Sequence, residues 1–206
     1  MATSERGFDR LIFFTDAVAA IAITLLILPL VDLVPEASAQ GLTVAEFFSG
    51  NWDQIIGFLI SFVVIARLWR AHHAIFEHVA TYNNTLVLLT LGWAFTIVVL
   101  PLPTALISEL RVDRVGIAFY IGTMLVSSII LGTISLILQR TPSLEIASDK
   151  IPVKSVFRTY LTSFLFALAL VVGVAFPRIN FWAILLIALS GPIDRVLERR
   201  ATRTRA

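Results

Sequence analysis

Residues 115–138 have the sequence VGIAFYIGTMLVSSIILGTISLIL and carry no charged side chain. A helix needs roughly 20 apolar residues to cross the hydrocarbon core of a bilayer, and this run is long enough to do so. A second uncharged run occupies residues 86–107, LVLLTLGWAFTIVVLPLPTALI. Two such runs in one chain predict a polytopic membrane protein and not a water-soluble domain.

The composition supports the same class. Of the 206 residues, 58% are hydrophobic and 15% are charged, and the mean hydropathy is +0.90, which exceeds what a soluble fold of this size can bury. We therefore predict an all-α integral membrane protein with six transmembrane helices in one domain covering residues 1–206. The approximate spans are 8–32, 52–78, 84–108, 114–139, 156–176 and 179–195.

The basic residues predict the orientation. With both termini in the cytoplasm, only Arg111, Arg114 and Arg178 of all the Lys and Arg residues face outward, which satisfies the positive-inside rule. An alternative is a cleaved secretory signal that ends at Ala37-Ser38-Ala39. The apolar run before that site is longer than a signal core and contains Asp16, so a membrane span is favoured.

The sequence offers little for enzymatic chemistry. It contains no cysteine, no HExxH motif, no recognisable Ser/His/Asp set and no phosphate-cradling glycine loop, so we expect no enzyme activity and no cofactor. His73 and Glu77 have the i, i+4 spacing of metal ligands, but no second ligand set accompanies them. We expect no metal site there, and a hydrogen-bonded or pH-sensitive cluster with His78 is the favoured interpretation.

One face of the first predicted helix is aliphatic. At about 100° per residue, Ile21, Thr24, Leu25 and Leu28 lie on the same side. The helix is apolar nearly all round, and such a stripe is more often a packing seam than the lining of a pore. The pattern alone therefore leaves both interpretations open.

Asp16 lies in the same helix, on the side away from that stripe. An ionisable group in hydrocarbon is costly unless it faces protein or water, so Asp16 is a candidate functional residue. The alternative is a structural role, in which a group from a helix end on the same side of the membrane satisfies the carboxylate. Arg10, His72 and His73 are the expected partners.

Two motifs resemble a known family. Arg10-x-x-x-Phe14-Thr15-Asp16 resembles the Arg-x-x-x-Phe-Ser-Asp signature that opens the first helix of the transmembrane-protein-175 (TMEM175) family of potassium channels. Thr15 replaces the usual Ser and keeps its hydroxyl. Trp69-x-x-His72-His73-x-x-Phe76, with the later Leu100-Pro101-Leu102-Pro103, is similar to the family's second and third helices, although Leu102 stands where an aromatic residue is commoner. The resemblance covers roughly the first half of the chain.

The resemblance implies a channel in the bacterial plasma membrane, formed as a homotetramer with helix 1 around a central pore. Ile21 is then the constriction, and Thr24, Leu25 and Leu28 are further pore-lining residues. The motif residues Arg10, Phe14, Thr15, Asp16, His72 and His73 are structural in this interpretation. The expected partners are K⁺, other monovalent cations and membrane lipids, and we expect no nucleic acid.

The filter sequence TVGYG is absent. Aliphatic side chains cannot replace a hydration shell, so we expect a leak-type pore with modest preference for K⁺ over Na⁺ that closes by dewetting. The alternative function is a proton-coupled secondary transporter with Asp16 and the His72/His73 pair as the proton relay. No internal repeat supports it.

Overall fold

A computed structural model describes residues 5–111, 113–148 and 151–176 of the chain. Within these ranges the regular structure is helical. The helices are α1 (Glu5–Leu25), α2 (Leu28–Asp32), α3 (Val34–Ala39), α4 (Val44–Gly50), α5 (Trp52–Phe76), α6 (Asn84–Val99), α7 (Pro101–Glu109), α8 (Arg114–Arg140) and α9 (Val153–Ala175).

The described residues contain five stretches that are long and apolar enough to cross a membrane. They are Gly7–Ala39, Trp52–Phe76, Asn84–Glu109, Arg114–Arg140 and Ser155–Ala175. The prediction of an all-α integral membrane protein is confirmed. The sixth predicted span, 179–195, lies outside the described residues.

Proline residues divide two of these stretches. A proline has no N–H to donate to the carbonyl four residues earlier, and its ring crowds that carbonyl. Pro29 therefore leaves the Leu25 carbonyl without its helical donor, and α1 ends at Leu25. Pro101 and Pro103 likewise remove helical donors between α6 and α7. The Leu100 N–H there donates to the Ile97 carbonyl at 3.3 Å.

The helices pack into one bundle. Helix α1 lies against α5 and α6, and α8 contacts α9 along most of its length. Glycines bring α8 and α9 close together: a Cβ on Gly173 would lie 2.9 Å from Ile117 Cγ2, and one on Gly132 would lie 3.3 Å from Tyr160 Cε1. Small residues allow this close approach, which is common between helices in membranes.

Helix α4 follows Gly41, whose φ of 67° suits glycine better than any other residue. Thr43-Val-Ala-Glu46 has the spacing of a capping box in the sequence, and the structure contains that box. The Glu46 N–H donates to Thr43 Oγ1 at 3.3 Å, and the Thr43 N–H donates to Glu46 Oε2 at 2.8 Å. These reciprocal bonds fix where α4 begins.

Candidate functional site

Helix α1 presents two unlike faces. Ala19, Ala22 and Leu26 are buried against the rest of the bundle. The stripe expected from the sequence is on the opposite face: Ile21 is 59% exposed, Leu25 40% and Leu28 47%, and Thr24 is exposed with them. The described part of the chain therefore leaves the stripe uncovered.

Small residues extend this open face toward the N-terminus of α1. Ala17 and Ala20 are both exposed and lie within the same half of the helix surface as Ile21. Of the five candidate spans in the described residues, the one that contains α1 has the smallest buried share. We call the exposed residues Ala17, Ala20, Ile21, Thr24, Leu25 and Leu28 the open face of α1.

Thr24 contributes the polar group of this face. Its Oγ1 donates a hydrogen bond to the Ile21 carbonyl at 2.8 Å. Because the single hydroxyl proton is used in this bond, the remaining lone pairs of the oxygen are acceptors. Thr24 therefore presents an oxygen that can accept a hydrogen bond or contact a cation.

The motif residues lie at the other side of α1 or at its N-terminal end. Thr15 is fully buried, and its Oγ1 donates to the Ile12 carbonyl at 2.8 Å. Asp16 is half-buried, and its Oδ1 accepts a hydrogen bond from Trp69 Nε1 of α5 at 2.8 Å. Arg10 and Phe14 are exposed. The hydrogen bond from Trp69 thus ties α1 to α5.

Trp69 is not one of the three partners expected for Asp16 from the sequence. The sequence does contain a signal for it, because Trp69 opens the second motif and its indole N–H is an obligate donor. The sequence does not predict the rotation of α5 about its axis, and this rotation determines whether Trp69, His72 or His73 faces α1.

The two adjacent histidines have different surroundings. The ring of His72 is fully buried and stacks on Trp93, with centroids 4.0 Å apart, and on Phe76 at 4.4 Å. His73 is partly exposed, stacks on Trp69 at 5.6 Å and places Nε2 3.5 Å from Glu77 Oε1. The structure thus separates the pair onto two sides of α5.

No hydrogen-bonded relay joins the polar groups of the transporter hypothesis in the described part of the chain. Both ring nitrogens of His72 are buried there without a hydrogen-bond partner. Among the same residues there is also no group of three or more His, Asp or Glu side chains placed to hold a metal ion.

A buried polar network lies beside the proline break between α6 and α7, and no motif in the sequence indicates it. Ser61 Oγ is 3.0 Å from Thr104 Oγ1 and 2.6 Å from the Tyr120 hydroxyl. Thr104 gives its proton to the Leu100 carbonyl at 2.8 Å, so Ser61 donates to Thr104 and Tyr120 donates to Ser61. The network joins α5, α7 and α8 where the prolines remove backbone donors.

Comparisons with known proteins find similarity to potassium channels. The family model described as the endosomal/lysosomal potassium channel TMEM175 matches residues 10–101, which include the first motif, the Trp69–Phe76 part of the second and the open face of α1. A relative named as a potassium channel from Streptomyces collinus is 38% identical over 102 residues, which are 49% of this chain and 48% of the relative. The alignment thus spans about half the length of that relative.

Two further matches cover more of the chain. A second relative, named as a potassium channel from Chamaesiphon minutus, is 33% identical over 62% of this chain and 63% of its own length. The fold is similar to the crystal structure of a lysosomal potassium-selective channel TMEM175 homologue from the same organism, with a TM-score of 0.66 and 24% identity over 98% of this chain and 100% of that one. The chain is thus similar to the TMEM175 family model over residues 10–101, and it shares the fold of the solved TMEM175 homologue.

Proposed function

We propose that the chain is a potassium-permeable cation channel in which α1 of several copies lines one central pore. The observation that carries the proposal is the open face of α1, which holds Ile21 and Thr24 and which the residues that the structure describes leave uncovered. Both relatives are named as potassium channels, and the solved homologue is described as potassium-selective, which supports the choice of ion.

The single open face supports an assembly of identical copies. One helix with one pore-facing side cannot enclose a channel, whereas symmetric copies around an axis can. We propose a homotetramer. Ala17 and Ala20 leave room for a wider entrance on the N-terminal side of Ile21, whereas Ile21, Leu25 and Leu28 place bulky aliphatic groups further along.

Ile21 is the proposed constriction. A ring of isoleucine side chains makes a narrow apolar passage that closes by dewetting, and ions pass it only when the ring is wide enough to hold water. The Thr24 oxygen lies one turn beyond and offers an acceptor to a partly dehydrated cation. We propose a leak-type conductance with modest selectivity for K⁺ over Na⁺, because aliphatic groups coordinate neither ion.

The motif residues have a supporting role in this proposal. Asp16 accepts the hydrogen bond from Trp69 on the side of α1 away from Ile21, and Thr15 is buried. Together they fix the rotation of α1 about its axis, which determines that Ile21 and Thr24 face the pore. We propose the bacterial plasma membrane as the location, with both termini in the cytoplasm, because the basic residues then follow the positive-inside rule.

The direct test uses purified protein in liposomes. We expect passive K⁺ flux down its gradient, smaller flux when Na⁺ replaces K⁺, and no dependence on a pH gradient. Native mass measurement in detergent should give four copies per complex. A monomer in that measurement, or K⁺ movement only when a proton gradient drives it, contradicts the proposal.

A further inference from the structure

Two loops meet at the end of the bundle where α1 begins. Residues 77–83 connect α5 to α6, and residues 141–152 connect α8 to α9. They pair as an antiparallel bridge between Val79 and Glu145. The Ile146 N–H donates to the His78 carbonyl at 3.0 Å, and the Ala80 N–H donates to the Leu144 carbonyl at 2.9 Å. We call residues 78–82 and 143–146 the loop collar.

The loop collar is packed into the bundle. Val79, Leu144 and Glu145 are buried, although they belong to loops. Thr81 Oγ1 donates to the Ser143 carbonyl at 3.2 Å, and Glu145 Oε1 accepts the Ile151 N–H at 3.2 Å. Loops of membrane proteins usually lie in water with few contacts, so buried, hydrogen-bonded loops indicate a fixed position.

Phe8 connects α1 to the loop collar. Its ring centroid lies 5.7 Å from that of Tyr82, which belongs to the collar, and 6.1 Å from that of Phe76 at the end of α5. Both distances are in the range of favourable aromatic pairs. At 1.5 Å per residue, Phe8 is about 20 Å along α1 from Ile21, so it does not contact the proposed constriction.

We propose that the loop collar is a positioning device for the pore: through Phe8 it fixes the N-terminal end of α1 and thereby the width of the ring at Ile21. This inference rests on the proposed channel function. A helix anchored at one end by Phe8 and along its length by Trp69 has little freedom to tilt. Without the Phe8 anchor the helix samples wider and narrower rings.

We expect that loosening the loop collar raises the K⁺ flux. The rate of passage depends exponentially on the barrier, so the widest arrangements dominate the average. A broader distribution of ring widths therefore increases K⁺ flux even when the mean width is unchanged. The same widening admits more hydrated ions, so the preference for K⁺ over Na⁺ falls.

Phe8→Ala tests this in liposomes against Phe8→Tyr, which keeps the ring. We expect Phe8→Ala to raise K⁺ flux per tetramer by roughly threefold or more, and Phe8→Tyr to stay close to the native chain. Equal flux in Phe8→Ala and the native chain, with both assembled as tetramers, overturns the proposal.

A second pair of variants acts on the other loop. Ile146→Pro removes the N–H that bonds the His78 carbonyl, whereas Ile146→Ala keeps it. We expect amide hydrogen exchange in residues 7–16 to be faster in Ile146→Pro than in Ile146→Ala, because the paired loops jointly fix the N-terminal end of α1. If Ile146→Pro does not fold, Thr81→Val removes only the hydroxyl bond to Ser143 and should give a smaller change in the same direction.

The exchange measurement separates the two proposals. A native chain that carries no K⁺ flux contradicts the channel function, but faster exchange in residues 7–16 of Ile146→Pro still supports the link between the collar and α1. Unchanged exchange in these residues overturns the link, whatever the flux.

Discussion

Trp69 Nε1 donates a hydrogen bond of 2.8 Å to Oδ1 of Asp16, and this bond connects α5 to α1. The indole is a neutral donor, so the carboxylate of Asp16 is satisfied without forming an ion pair with it. An ionisable group in a membrane span needs protein or water as a neighbour. Trp69 supplies the protein neighbour of Asp16.

Removing the indole N–H of Trp69 should lower the stability of the folded helix bundle. Trp69→Phe keeps an aromatic ring for stacking on His73 but leaves Oδ1 without the N–H. A hydrogen bond to a charged group contributes about 1.5–3 kcal/mol, so we expect a lower midpoint of thermal unfolding in detergent. Asp16→Asn is the matched control, because its amide oxygen still accepts from Trp69, and it should lose less. A midpoint for Trp69→Phe equal to the native one contradicts this role.

The close contact between α8 and α9 depends on glycine at position 173, which has no side chain. Gly173→Ala places a Cβ 2.9 Å from Ile117 Cγ2 and 3.2 Å from Ile121 Cδ1. The Ile117 methyl is attached to a branched Cβ that has little freedom to move, so overpacking should cost about 1–3 kcal/mol.

Gly122→Ala on α8 is the control for this substitution, because nothing lies within 4 Å of its added Cβ. Alanine is also the better helix former. Thermal unfolding should therefore show a clear loss for Gly173→Ala and no loss for Gly122→Ala. Equal midpoints in the two variants contradict the close packing of α8 on α9.

The capping box of α4 makes its first turn sensitive to pH. The Thr43 N–H and hydroxyl both donate to the Glu46 carboxylate, and these bonds hold the pKa of Glu46 below its ordinary value of 4.5. A lowered pKa in the folded state means that the stabilisation is present above the ordinary carboxyl range and is lost as the pH falls through the lowered pKa.

Hydrogen exchange in residues 44–50 measures this loss, after correction for the intrinsic pH dependence of exchange. Protection should fall on acidification in the native chain. Glu46→Gln keeps an oxygen that can accept the Thr43 N–H but has no proton to gain, so its protection should be independent of pH in this range. The same acid response in both chains contradicts the capping box as its cause.

Hydropathy and charge allow the membrane spans to be recognised from the sequence, because lipid requires long apolar helices whatever their neighbours. The expected span 52–78 and the helix Trp52–Phe76 differ by two residues at one end. Hydropathy averaged over a whole span does not reveal a break in the helix within it. Pro29 interrupts the apolar run after Leu25, although the residues on both sides are aliphatic.

The direction of the aliphatic stripe follows from helical periodicity, since Ile21 and Leu28 are seven residues apart on one face. The hydrogen-bond partner of each polar group depends on packing between helices that are distant in sequence. Ser61 and Tyr120 are 59 residues apart, and nothing in their local sequence pairs them. The partner of Asp16 is undetermined from the sequence for the same reason.

We propose that Ile21 forms the narrowest ring of a potassium pore, and K⁺ flux in liposomes that hold Ile21→Asn tests this proposal. The control is Ile129→Asn, which makes the same change at an exposed isoleucine on α8. A polar ring stays hydrated, so we expect higher K⁺ flux and a smaller preference for K⁺ over Na⁺ in Ile21→Asn, with Ile129→Asn close to the native chain. Native flux and native ion preference in an assembled Ile21→Asn channel would contradict it.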